Sequence, residues 1–245
     1  MLVLGFQGVL PGQTEKALFK RGLERMQSRN FSLGEIDFSM VLQLNPNNEE
    51  AYYNRGFCRL RLEKNAGAVE DFTKAIELNH NNFEAFYNRG NALKAIADEV
   101  KERENLETAR RVYLQALEDM NFAIARSKAE ARYLRGRASV KMGLDDIRGA
   151  IKDLDHAIKM TKGRDITYLY DRAEAFLGLR NFYEAIDDLD RIVQLAPRNP
   201  EGYMFRAAVK LQAGDNSGAC LDWSKAGELG QISAYEYIRE NCDRY

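Results

Sequence analysis

A four-residue string recurs along this chain at a near-constant interval. Tyr53-Asn54-Arg55-Gly56 returns as Tyr87-Asn88-Arg89-Gly90, and more loosely as Phe19-Lys20-Arg21-Gly22, Tyr133-Leu134-Arg135-Gly136, Tyr170-Asp171-Arg172-Ala173 and Met204-Phe205-Arg206-Ala207. The small residues at 22, 56, 90, 136, 173 and 207 are spaced by 34, 34, 46, 37 and 34. Self-similarity at such a period marks a stack of supersecondary units, none of which can bury its apolar face alone.

A second signature follows the first. Gly34, Ala68, Ala185 and Ala219 each come twelve residues after a small residue, and Phe38, Phe72, Leu189 and Trp223 come four residues later. Each unit therefore reads as two helices with apolar spacing of three and four. The small residues belong where two helix axes approach closely. Asn45-Pro46-Asn47-Asn48 and Arg198-Asn199-Pro200 read as turns.

These residues resemble the tetratricopeptide repeat family, with its small eighth residue, alanine at the twentieth and aromatic at the twenty-fourth. The resemblance implies an all-α fold, a right-handed α-solenoid of about six helix-turn-helix repeats plus a C-terminal capping helix. The expected division is an N-terminal segment 1–14, an array over 15–233 and a cap over 234–245. The repeats would span 15–48, 49–82, 83–128, 129–165, 166–199 and 200–233. The stretch from Gly218 to Gly230 is also similar to Sel1-like repeats.

Each small residue follows an arginine, namely Arg21, Arg55, Arg89, Arg135, Arg172 and Arg206. Each large apolar residue of the second helix follows an aspartate, namely Asp37, Asp71, Asp119, Asp153, Asp188 and Asp222. This pattern predicts one partly buried, bidentate ion pair per repeat. The third unit carries fourteen extra residues, near Asp98 to Arg111, expected to lengthen both helices by about two turns into a solvated hairpin with its tip at Glu104-Asn105. The fourth unit is read with two extra residues in its loop between Gly143 and Gly149.

In the family, the first helix of each repeat lines a concave groove. Carried over residue by residue, the resemblance implies peptide-binding positions at Tyr53, Asn54, Phe57, Tyr87, Asn88, Asn91, Tyr133, Arg137, Tyr170, Asp171, Glu174 and Phe205. Tyrosine offers contact area and a hydroxyl at low entropic loss, and asparagine both donates and accepts. Relatives that clamp a chaperone's C-terminal carboxylate carry lysine at the fifth position. Here that position is read as aromatic or methionine throughout, so no such clamp is expected.

Composition narrows the remaining classes. With 36 basic and 37 acidic residues the net charge is −1, which gives no field to hold a polyanion, so nucleic acid is not expected as a partner. No apolar run reaches the length of a membrane span. His80 and His156 have no second ligand at metal spacing, and no phosphate loop or nucleophile elbow is present. The expectation is therefore no enzyme, no cofactor and no metal. Cys58, Cys220 and Cys242 are odd in number and scattered, which argues against a disulfide framework. Cys58 and Cys220 read as small core residues. The expected compartment is the cytoplasm, or an exported location if the apolar start Met1 to Leu10 is the stub of a longer N-terminus. The function implied is a protein-interaction scaffold gripping a protein or peptide. The alternative is a homo-oligomer docking through the long third hairpin.

Overall fold

A computed structural model describes residues 11–103, 105–127 and 130–242, so the apolar start Met1 to Leu10 and the last residues of the expected cap lie outside the described residues. The described residues form an all-α helical repeat solenoid whose thirteen helices fall into two compact units, Met1–Lys128 and Ala129–Tyr245. Unit 1 holds α1 (Pro11–Gln27), α2 (Phe31–Leu44), α3 (Glu49–Arg61), α4 (Asn65–Leu78), α5 (Phe83–Glu102) and α6 (Leu106–Arg126). Unit 2 holds α7 (Ala131–Gly143), α8 (Ile147–Met160), α9 (Ile166–Gly178), α10 (Phe182–Leu195), α11 (Pro200–Gln212), α12 (Asn216–Glu228) and α13 (Ala234–Asn241). Within each unit every helix packs on the one before and the one after it.

The helices begin where short polar side chains cap them. Asn48, Asn82 and Asn105 accept from the backbone N–H of Ala51, Ala85 and Thr108. Asp146 and Asp215 do the same for Gly149 and Gly218. Each cap satisfies one orphan donor of the first turn. The short corners inside a pair turn through a left-handed residue, with φ of 57° at Arg29, 59° at Glu63, 66° at Asp145, 58° at Arg180 and 87° at Gly214. Only the last is a glycine, so four of these corners hold a side chain in a conformation that L-residues disfavour.

The first helix of each pair meets the second at the small residue. A Cβ on Gly22 would sit 2.8 Å from Phe38 Cζ, and one on Gly56 would sit 3.0 Å from Phe72 Cε1. Glycine fits there because a phenyl ring fills the seam, and a methyl group would have to push that ring back. In unit 2 alanine suffices at Ala138, Ala173 and Ala207, all buried. Separate apolar clusters form along the stack, such as Phe38, Val41 and Cys58 in unit 1 and Ala207, Trp223 and Ala234 in unit 2.

Helices α5 and α6 have 20 and 21 residues, each seven longer than α3 and α4. That adds about 10 Å to each helix. The added length has its own seam rather than two solvated faces: Ala97, Ala109 and Tyr113 are almost wholly buried. The Tyr113 hydroxyl donates to Asp98. Asn105 caps α6, and Glu104 lies outside the described residues.

The ion-pair ladder is present with one correction. Arg21, Arg55, Arg89, Arg172 and Arg206 donate through Nε and Nη2 to Asp37, Asp71, Asp119, Asp188 and Asp222. In the fourth repeat the donor is Arg137, at 2.9 and 2.6 Å from Asp153, and not Arg135. Two arginines, each followed by a small residue, compete for the motif in Arg135-Gly136-Arg137-Ala138. Choosing Ala138 restores the sixteen-residue separation of the other short pairs. It also removes the two supposed extra loop residues: the corner Leu144 to Asp146 is as short as Leu62 to Lys64.

All six aspartates are at most 5% exposed. Charges so buried must be compensated by partners, and two further sets of contacts do so. A second base one turn on reaches the same carboxylate, as Arg25 does for Asp37, Arg59 for Asp71, Lys141 for Asp153 and Lys210 for Asp222, at 2.7 to 3.0 Å. Four of the guanidinium groups also reach back to the preceding repeat: Arg55 Nη1 to Ser39 at 3.3 Å, Arg89 to Thr73 at 3.2 Å, Arg172 to Asp155 at 2.6 Å and Arg206 to Asp190 at 2.7 Å. One arginine thus joins three helices and fixes how successive repeats stack.

Candidate functional site

In unit 1 the first helix of each pair, α1, α3 and α5, carries a ring at the same repeat position: Phe19, Tyr53 and Tyr87. The rings are half-buried. Phe19 packs edge-on against Phe38 at 5.5 Å, and Tyr53 lies tilted against Phe72 at 5.9 Å. The second helix therefore holds Phe19 and Tyr53 from behind and limits their rotamers. Phe57 meets Phe31 at 6.3 Å, and Arg61 lies 5.3 Å above the Phe31 ring.

The amides divide into inward and outward groups. Asn88 is only 7% exposed, and its Nδ2 donates to the Tyr53 hydroxyl at 3.1 Å. Its amide thus ties two neighbouring repeats together, so it is less available to a ligand than the family position implies. Asn54 donates to the backbone carbonyl of Glu50 at 2.8 Å, leaving its side-chain oxygen without a donor. Asn91 is half-buried, three residues beyond Asn88.

In unit 2 the register of α7 changes the assignment. Tyr133 is fully buried, with Arg132 Nη2 donating to its hydroxyl at 2.8 Å, and Arg137 is bound to Asp153. Neither can line an open face. The sequence pattern misplaces both because it sets the motif two residues too early. In the corrected register Arg135 takes the position of Tyr53. It donates to Asp171 on α9, with Nη2 at 3.3 Å from Oδ1. Tyr170 and Phe205 stack nearly parallel at 5° with centroids 6.3 Å apart. The Tyr170 hydroxyl is buried without a hydrogen-bond partner. Burial, with the Glu201 carboxylate as a second cause, raises its pKa. Glu174 is exposed.

A pocket of about 430 Å³ lies beside Phe205, between α11 and the segment from Gln231 through α13. The sequence pattern places Met204 at a groove position but gives no sign of this pocket. Its far wall comes from α13, which lies beyond the last repeat. That wall is anchored by a contact the cysteine count misses: Cys220 on α12 and Cys242 at the end of α13 form a disulfide, with Cα atoms 5.9 Å apart. Cys220 is therefore not a simple core residue. The two cysteines are 22 residues apart in sequence, and only the fold-back of α13 onto α12 brings them together. Cys58 is free and buried, and burial holds its thiol pKa up at about 12.

Among the described residues, no group of three or more His, Cys, Asp or Glu side chains could hold a metal ion. No helix there is long and apolar enough to cross a membrane.

Comparison with known proteins gives the following. Models of the tetratricopeptide repeat match residues 49–82, 72–111, 137–200 and 170–226. A search of curated protein sequences finds no match. Solved structures with the same fold include YrrB, a TPR protein with an unusual peptide-binding site, at 16% identity and a TM-score of 0.59, covering 82% of this chain and 97% of that one. TTC0263, a thermophilic TPR protein from Thermus thermophilus, is similar at 19% identity and a TM-score of 0.64, covering 80% and 99%. Pseudomonas aeruginosa PilF is similar at 16% and 0.63, covering 94% and 99%.

Proposed function

Because the chain belongs to the tetratricopeptide repeat family, whose repeats serve as protein-interaction scaffolds, we propose that it binds an extended segment of a partner protein along the first helices of its repeats. The observation that carries this reading is the row Phe19, Tyr53 and Tyr87. All three rings are half-exposed, and Phe19 and Tyr53 are held from behind, so they offer apolar contact with little further loss of side-chain freedom. Within unit 1, Asn54, Phe57 and Asn91 supply further polar and apolar contacts on the first helices; within unit 2, Asp171, Glu174 and Phe205 do so. YrrB, with its peptide-binding site, is in keeping with this use of the fold.

The test is capture of partners from host extract by wild type and by a variant carrying Asn54→Ala, Asn91→Ala and Glu174→Ala, with circular dichroism as the folding control. Partners kept undiminished by the folded variant would sink this reading.

A second reading, self-association, is favoured by a feature of α2 rather than of the third pair. Leu33, Ile36 and Met40 form an exposed stripe, 39 to 53% accessible. The same positions on α4 and α10 are Gly67, Glu70 and Lys74, and Glu184, Asp187 and Arg191. An exposed apolar stripe where sister repeats carry charge marks a contact surface. Sedimentation of wild type against Ile36→Lys decides it: one monomeric species for both proteins rules self-association out.

The Cys220–Cys242 disulfide favours an oxidising compartment over the cytoplasm, because thiols there are kept reduced.

A further inference from the structure

The pocket at the end of unit 2 has a lopsided chemistry. Met204, Phe205, Trp223 and Tyr237 give it an apolar, largely aromatic wall. Trp223 and Tyr237 stack at 5.5 Å, which fixes both rings. Of the polar groups that line it, Gln231 donates to Ser233 at 2.9 Å, so that pair is satisfied internally. Glu201 differs. It is exposed and lines the same pocket, and among the described residues its carboxylate makes no ion pair or hydrogen bond. Among the described residues, no lysine or arginine lines the pocket.

We infer that this pocket takes the basic side chain, lysine or arginine, of a bound peptide. Aromatic faces attract a cation through their quadrupole, and attract it more strongly when water is excluded. A carboxylate at the same pocket adds direct charge attraction and disfavours an acidic residue. Phe205 is also the sixth repeat's residue in the proposed groove, and Met204 precedes it on the same helix, so a peptide on that face would present a side chain to the pocket. Glu174, at the position in the fifth repeat that Ala208 takes in the sixth, is a further exposed carboxylate on that face. The inference rests on the groove reading above and specifies its ligand. The disulfide matters to it because α13 supplies the Tyr237 wall.

The probe is a set of acetylated, amidated pentapeptide pools, random at four positions with the centre fixed as lysine, arginine, norleucine or glutamate. Trp223 is the only tryptophan of the chain, so its emission reports occupancy without a label. The lysine and arginine pools should bind roughly tenfold tighter than the norleucine pool, which matches the chain length of lysine without its charge. Glu201→Gln, a surface change, should remove most of that preference and leave the norleucine affinity as it was. Equal affinity of the lysine and norleucine pools, or tighter binding of the glutamate pool, overturns cation recognition while leaving the groove reading intact. Failure of every pool to bind, by Trp223 emission and by calorimetry, overturns the groove reading in unit 2 as well.

Discussion

Replacing Asp188 by alanine tests whether the ladder is a structural necessity. The Asp188 side chain is 1% exposed and takes two charge-assisted bonds from Arg172, at 2.8 and 2.6 Å. Breaking a buried pair by removing one partner costs about 3–5 kcal/mol, because the remaining charge stays desolvated. Arg172 keeps Asp155 at 2.6 Å, whose side chain is half-exposed, and that contact places the loss near the lower end. With a urea m value of about 2 kcal/mol per molar, a loss of about 3 kcal/mol shifts the midpoint by about 1.5 M. A repeat array need not unfold in one step. Trp223 fluorescence follows the transition of the unit that carries the mutation. The double variant Arg172→Met with Asp188→Leu should recover most of the loss, since apolar replacement of a whole buried pair is often neutral. Arg21→Ala should have a much smaller effect, because Asp37 keeps Arg25 at 2.7 Å. A midpoint shift below about 0.3 M for Asp188→Ala, far under the expected loss, would refute the reasoning. So would a double variant weaker than the single one.

Three further outcomes follow from the same geometry. Arg137→Ala removes two charge-assisted bonds while Asp153 keeps Lys141 at 2.7 Å, and should destabilise unit 2 by about 2 kcal/mol. Arg135→Ala, whose pair with Asp171 is partly exposed, should cost less than about 1 kcal/mol; the reverse order in urea melts would restore Arg135 as the ladder residue. Cys220→Ser opens a loop of 22 residues, worth about 3 kcal/mol by loop-closure entropy, and should shift Trp223 emission to the red as α13 frays. Unchanged emission and melting would mean that the disulfide does not hold α13. Cys58, with its pKa raised from about 9 to about 12 by burial, stays protonated at pH 8. It should resist iodoacetamide in the native protein and react on unfolding, and rapid native alkylation would contradict its burial.

The sequence made the helical pairs and the family legible because the period is long and six-fold repeated. Five of six ladder pairs could be read for the same reason, since arginine and aspartate recur at fixed offsets. The fourth failed where two arginines, each ahead of a small residue, stand two positions apart, and similarity to the neighbouring strings outweighed the constant separation to Asp153. The error then carried Tyr133 and Arg137 into the candidate groove. The disulfide was hidden because counting cysteines says nothing about which helices fold back on each other. The pocket was hidden for a related reason: its Tyr237 wall lies outside the repeat. The left-handed corners at Arg29, Glu63, Asp145 and Arg180 carry no glycine to announce them.

The most direct test of the central claim is site-specific photocrosslinking. Benzoylphenylalanine is placed singly at Asn54, Phe57 and Glu174 on the first helices, and at Glu70 and Asp187 on the outer faces of α4 and α10. Each protein is then irradiated in host extract. The account predicts a discrete adduct of the same partner from the three first-helix sites and none from the outer ones. Adducts from Glu70 and Asp187 alone would place binding on the opposite helices and contradict it.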